Sequence, residues 1–122
     1  MAYHSFEDLE VWQRACQQCT SIYELFEDCK KFSLKDQIER ASLSVPSNIA
    51  EGHERSSRAD FQRFLTIALG SNAELHTQLY IARKLTLIDQ STFKTSLHES
   101  KEISAMIRGL WKATARKTTT EN

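Results

Sequence analysis

A chain of 122 residues suits one domain with a single core, and 40% hydrophobic against 26% charged residues excludes a disordered polymer. Three glycines and one proline are too few turn residues for a sandwich or barrel, which leaves a helical architecture. Sixteen basic side chains balance sixteen acidic ones, so the strong overall basicity of a dedicated nucleic-acid-binding domain is absent.

Three segments open with a serine followed three residues later by an aspartate: Ser5-x-x-Asp8, Ser33-x-x-Asp36 and Ser57-x-x-Asp60. Each pattern places a hydroxyl to accept a free N–H at a helix start and a carboxylate at the positive end of the dipole. Helix one is predicted over residues 8–28, with Leu9, Trp12, Cys16, Cys19, Tyr23 and Phe26 as its apolar face. Helix two is predicted over 34–55, with Leu34, Ile38, Ala41, Val45, Ile49 and Gly52 on one line. Pro46 removes one hydrogen bond there at a cost of about 3 kcal/mol. The apolar line keeps its register across it, so a kink is expected rather than a break. Helix three is predicted over 59–85, with Phe61, Phe64, Leu65, Ala68, Leu75, Leu79 and Ala82. Helix four starts near Asp89 or Ser91 and is predicted over 92–115, with Phe93, Leu97, Ile103, Ile107, Leu110 and Thr114. The linkers, 29–33, 56–57 and 86–91, are short enough to force antiparallel neighbours. The expected fold is therefore all-α, an up-down-up-down four-helix bundle over 1–115 with a polar tail at 116–122.

Charge is unevenly spread. Residues 1–30 carry six acids and two bases, whereas residues 91–122 carry six bases (Lys94, Lys101, Arg108, Lys112, Arg116, Lys117) and three acids. Two readings are open: mutual attraction of the first and last helices, or a basic face for phosphates. Cys16, Cys19 and Cys29 are odd in number and lie near apolar positions, which suggests reduced thiols in a cytoplasmic protein. Cys16-x-x-Cys19 has no second ligand pair, so no metal site is expected. The N-terminus carries no signal-peptide pattern, and no stretch approaches the roughly eighteen apolar residues of a membrane span.

Two features exceed what a bare bundle requires. On helix two, Gln37, Arg40, Ser44, Asn48, Glu51 and Arg55 recur at steps of 3, 4, 4, 3 and 4, a continuous polar stripe beside the apolar line. On helix three, Ile67, Gly70, Glu74, Ile81 and Leu85 lie well round from Phe61 and Leu79, giving that helix a second apolar face. Such a face suggests a subunit interface. Gly70 fits close approach of another backbone there, and Glu74 would take Arg40 or Arg55 as its partner, within a subunit or across the interface. Catalytic readings find little: His4, His53, His76 and His98 are scattered, and no Glu-x-x-His, P-loop, GxGxxG or GxSxG pattern occurs. A carboxylate pair of Glu51 and Glu74 with a histidine is the remaining metal-enzyme reading, and no enzyme activity or cofactor is expected.

The blocks Ser44-Val45-Pro46-Ser47-Asn48-Ile49-Ala50-Glu51-Gly52 and Gly70-Ser71-x-x-Glu74-Leu75, joined by Arg55-x-Ser57 and Phe61-x-x-Phe64-Leu65, resemble the signature of the four-helix bundle proteins encoded in 23S rRNA intervening sequences. The resemblance runs from Phe6-x-x-Leu9-x-Val11-Trp12 to the last helix. It implies an up-down bundle that assembles as a ring-like homopentamer. It also points to a related group, accessory proteins of diversity-generating retroelements, which bind a reverse transcriptase and nucleic acid. The expectation is thus a non-enzymatic homo-oligomer whose candidate interface is the stripe and second face together with Ser71. Its candidate nucleic-acid contacts, to RNA or DNA or to an RNA-processing partner, are the six bases of the last helix and tail, and the alternative is a nucleic-acid-binding accessory protein to a reverse transcriptase.

Overall fold

The computed structural model describes residues 5–120, with side chains to residue 115. A 3₁₀ turn, Phe6–Asp8, precedes four helices: α1 (Glu10–Leu25), α2 (Phe32–His53), α3 (Arg58–Lys84) and α4 (Gln90–Thr120). Consecutive helices pack antiparallel; α2 and α3 share the most extensive seam, and α1 closes more loosely on α4. α4 carries its backbone to Thr120, so most of the segment expected as a tail is helical. No described helix is long and apolar enough to cross a membrane.

The helix starts agree with the sequence at two of four places. Ser57 accepts the Asp60 N–H at 3.1 Å and caps α3, and Asp89 accepts the Thr92 N–H at 2.7 Å at the start of α4. Ser5 instead caps the 3₁₀ turn through the Glu7 N–H, and α1 starts after Leu9 with no side-chain cap. Ser33 lies inside the first turn of α2, whose cap residue is Lys31. The end of α3 is a Schellman turn: the Leu87 N–H reaches the Ala82 carbonyl at 2.9 Å and the Thr86 N–H reaches Arg83 at 3.0 Å. That turn holds Thr86 at φ 59°, a left-handed conformation costly for a β-branched residue.

Burial follows the expected lines on α2, α3 and α4. α2 runs unbroken through Pro46, and Ile38, Val45 and Ile49 on either side of it are fully buried. On α1 the core line is Val11, Ala15, Cys19, Ile22 and Phe26. This corrects the expected face: Trp12 and Cys16 are half-buried, and Tyr23 is 41% exposed. At the α2–α3 crossing a Cβ on Gly52 would meet the Phe64 Cβ at 2.6 Å, so only glycine lets the helices come so close.

The core has two apolar halves with a polar layer between them. One half gathers Ile22, Phe26, Ile38, Leu75, Leu79 and Phe93; the other gathers Val11, Val45, Ile49, Leu65, Ile103 and Ile107. In the layer, Asn72 is fully buried; its Oδ1 accepts from Gln18 Nε2 at 3.1 Å. Asn72 Nδ2 donates to the Ser100 carbonyl at 2.8 Å and to Ser104 Oγ at 2.7 Å. His76 Nδ1 lies 3.3 Å from Ser100 Oγ, and Ser42 donates to Cys19 Sγ at 3.6 Å on the other side. Gln18 Oε1 is buried without a hydrogen bond. Burial lowers the His76 pKa below its ordinary value of 6.5, helped by the charge on Lys101.

Asn72→Ala strands Gln18 Nε2 and two α4 acceptors, and is expected to lower unfolding free energy by about 3 kcal/mol in urea titration. Thr86→Gly should relieve the left-handed strain and raise stability by about 1 kcal/mol in the same assay. Because folding favours neutral His76, the unfolded chain binds the extra proton. Stability is therefore expected to fall as pH drops below about 6.5, and His76→Gln should flatten part of that slope in melts across pH.

Candidate functional site

The α2 stripe and the second face of α3 meet in one surface. Ser44 Oγ and Ser71 Oγ are 2.8 Å apart across the α2–α3 seam, and Asn48 Nδ2 donates to the Ser44 carbonyl at 2.8 Å and to its Oγ at 2.9 Å. These three residues fill the seam. Gln37, Arg40, Glu51 and Arg55 stand exposed at the stripe's two ends. Arg55 pairs with Glu51 at 3.4 Å and lies over the Phe64 ring at 4.9 Å; Arg63 lies over the same ring at 4.5 Å. Arg55 is therefore engaged by Glu51 and Phe64, and Glu74 forms no ion pair with it or with Arg40 among the described residues.

The outer side of α3 is uncovered. Ile67, Ile81 and Leu85 are 41–50% exposed, and Gly70 is exposed with nothing within 4 Å of where its Cβ would stand. Gly70, Ala73, Glu74, Thr77, Gln78 and Ile81 line a shallow depression there. The intrachain packing gives no reason for a glycine at position 70, in contrast to Gly52.

The other candidate residues lie on the opposite flank. At about 100° per residue, Lys94, Lys101, Arg108 and Lys112 fall within roughly 40° of one line on α4. All four are exposed, and none forms an ion pair among the described residues. Arg116 and Lys117 lie outside the described side chains. The ion pair between α1 and α4 runs against the charge of the two segments. Arg14, from the acidic segment, grips Glu99, from the basic one, at 2.6 and 3.0 Å. Hydrogen bonding to Glu99 raises the Arg14 pKa further. No described carboxylate of α1 neutralises the α4 cations.

Two grooves follow the α3–α4 seam and share Arg108. One, about 140 Å³, is lined by Leu65, Thr66, Leu69, Ile107, Trp111 and Lys112; the other, about 360 Å³, by Ala73, His76, Thr77, Lys101 and Ser104. Trp111 and Tyr80 were not among the expected contacts, although the sequence places an aromatic beside Arg108 and Lys112. Glu51 and Glu74 lie on separate helices with no histidine beside both, and no group of three or more His, Cys, Asp or Glu among the described residues could hold a metal. The three cysteines are free.

A solved structure of similar fold is a protein of unknown function from the S23 ribosomal protein family of Bacteroides thetaiotaomicron VPI-5482. It is 26% identical and superposes with a TM-score of 0.79 over 84% of this chain and 98% of its own. No curated protein matches the chain. Residues 7–109, spanning the signature on α2 and α3 and most of α4, match the 23S rRNA-intervening sequence proteins, and the chain belongs to that family.

Proposed function

We propose that this protein is a non-enzymatic assembly module that associates with copies of itself through the outer α2–α3 surface and offers the α4 cations to RNA. The observation that carries the reading is the uncovered outer side of α3, where Ile67, Ile81 and Leu85 stand 41–50% exposed around Gly70. An exposed glycine inside a helix costs about 1 kcal/mol relative to alanine, and nothing in its own chain uses the space. Close approach of a second backbone gives it a purpose, and Ile67, Ile81 and Leu85 around it supply apolar area. Glu74 then finds its cation across the interface. The ring of five implied by the family resemblance needs two different patches in contact on successive subunits, for which the exposed ends of the α2 stripe and the outer side of α3 are the pair we propose. Free thiols suit a reducing cytoplasm.

A second reading, an accessory protein of a reverse transcriptase in a diversity-generating retroelement, draws on the same two surfaces. The α3 face would then receive the polymerase, and the unpaired cations of α4 would hold its nucleic acid. A monomer that becomes stoichiometric only with such a polymerase would favour it over self-assembly.

Light scattering during size exclusion is expected to give a salt-resistant mass of about five times the 14.0 kDa chain. Ile81→Glu should reduce that mass to the monomer's with helicity retained, and Glu74→Ala should weaken the assembly on dilution. A wild-type monomer, or native mass in Ile81→Glu, overturns the assignment of the interface.

A further inference from the structure

We infer that the α3–α4 seam is a binding site for single-stranded nucleic acid, in which Trp111 and Tyr80 are stacking platforms and Lys101, Arg108 and Lys112 hold the phosphates between and beside them. The inference rests on the nucleic-acid half of the proposed function and specifies its site and strand state.

Charge sorting around α4 is the first observation. Glu99 and Glu102 lie about 100° or more round the helix from Lys101, towards α1, where both bear on Arg14. The flank towards α3 keeps the cations. Neither groove on that flank is lined by a carboxylate. From Asp60 to Asp89 the sole acid of the intervening chain is Glu74, which lines the depression on the outer side of α3. A neutral protein thus carries a seam of one sign, open to a polyanion and with no internal ion pair to break first.

Aromatic placement is the second. Trp111 is 40% exposed and lines the apolar groove with Leu65 and Leu69, so one part of the ring is seated and the rest is open. Tyr80 is 43% exposed at the other end of the seam. Its ring is braced edge-to-face on buried Phe93, with centroids 5.0 Å apart, and tilted on His76 at 5.6 Å. Counting along α3 from Tyr80 to the residues under Trp111 puts the two rings roughly 20 Å apart at 1.5 Å per residue. That distance spans a few nucleotides. Between the rings lies the larger groove, whose Lys101, Arg108 and Ser104 hydroxyl match a sugar–phosphate backbone.

The third is rigidity. Ser104 and His76 are fixed from behind by the buried layer through Asn72 and Ser100, so the groove floor is held before a ligand arrives. Bases stacked on exposed rings with phosphates between cations describe a single strand. In a duplex the base faces are already occupied by stacking, so Trp111 and Tyr80 would gain nothing from one.

The test uses the full chain and a fluorescently labelled oligouridylate of about 16 nucleotides, with the corresponding oligothymidylate and a duplex RNA as competitors. In a Trp12→Phe background the single strand should quench the remaining Trp111 emission at low salt. Either single strand should compete well and the duplex poorly, the stronger of the two identifying RNA or DNA as the source. Trp111→Leu and Tyr80→Leu should each weaken binding about five- to hundredfold with circular dichroism and solution mass unchanged. Lys101→Gln/Arg108→Gln, a surface change that spares the core, should lower the log–log salt slope by about 1.4. Absence of binding to any nucleic acid at low salt overturns the nucleic-acid reading and this site with it. Salt-sensitive binding that favours duplex, or that ignores Trp111 and Tyr80, leaves that reading standing and overturns the stacking site.

Discussion

The Asn72 amide holds α1, α3 and α4 at one height. Its two ends are committed in opposite senses: the oxygen to Gln18 on α1, the nitrogen to the Ser100 carbonyl and Ser104 hydroxyl on α4. An apolar residue at 72 would pack in many registers, since one aliphatic turn resembles the next. An amide with fixed donors and acceptors fits one. Gln18 Oε1, buried without a partner, is a stability cost of this arrangement, which suggests that the layer serves uniqueness of the fold more than its strength.

Everything placed on the surface inherits that register. Fixing α3 against α4 decides that His76 and Ser104 share a groove with Lys101 and Arg108, and that Trp111 falls beside Leu65 and Leu69. On the other side of α3, Gly52 against Phe64 and Ser44 against Ser71 set how closely α2 approaches. α3 is consequently the shared wall of both candidate surfaces. One flank completes the stripe of α2, and the other completes the cationic seam of α4.

Much of the bundle was legible because long periodic segments with few breakers leave little choice. The register of Ile38, Val45 and Ile49 across Pro46 was readable for that reason, as was the Ser57 cap. The misreadings have physical causes. On α1, Trp12, Cys16 and Tyr23 are large or apolar enough to mimic a core line; Val11, Ala15 and Ile22, one position away, occupy it, and the bulky residues lie at its edge. At Ser33 the hydroxyl–carboxylate spacing was present, but the helix had already begun at Phe32. The polar layer was missed because polarity was equated with exposure. Yet Asn72 stands between Ala68 and Leu75 on the very line that marks the α3 core, and a lone amide there was the available clue. The stripe was recognised as a line, but sequence could not divide its seam residues, Ser44 and Asn48, from its exposed ends, because that division depends on where α3 lies.

The inverted ion pair of Arg14 with Glu99 has an electrical consequence. Had the acids of the first segment paired with the bases of the last, the molecule would have been close to uniform at its formal net charge of zero. Because the pair forms the other way round, it uses up a cation of the acidic segment and an anion of the basic one, leaving both segments more lopsided than their sequences. The chain is then neutral overall with opposite excesses of charge on its first and last segments. Such a molecule feels little net pull towards a polyanion at long range but a strong torque near it, and turns its cationic side inward before contact. Selectivity of approach can thus reside in orientation, where total charge predicts none.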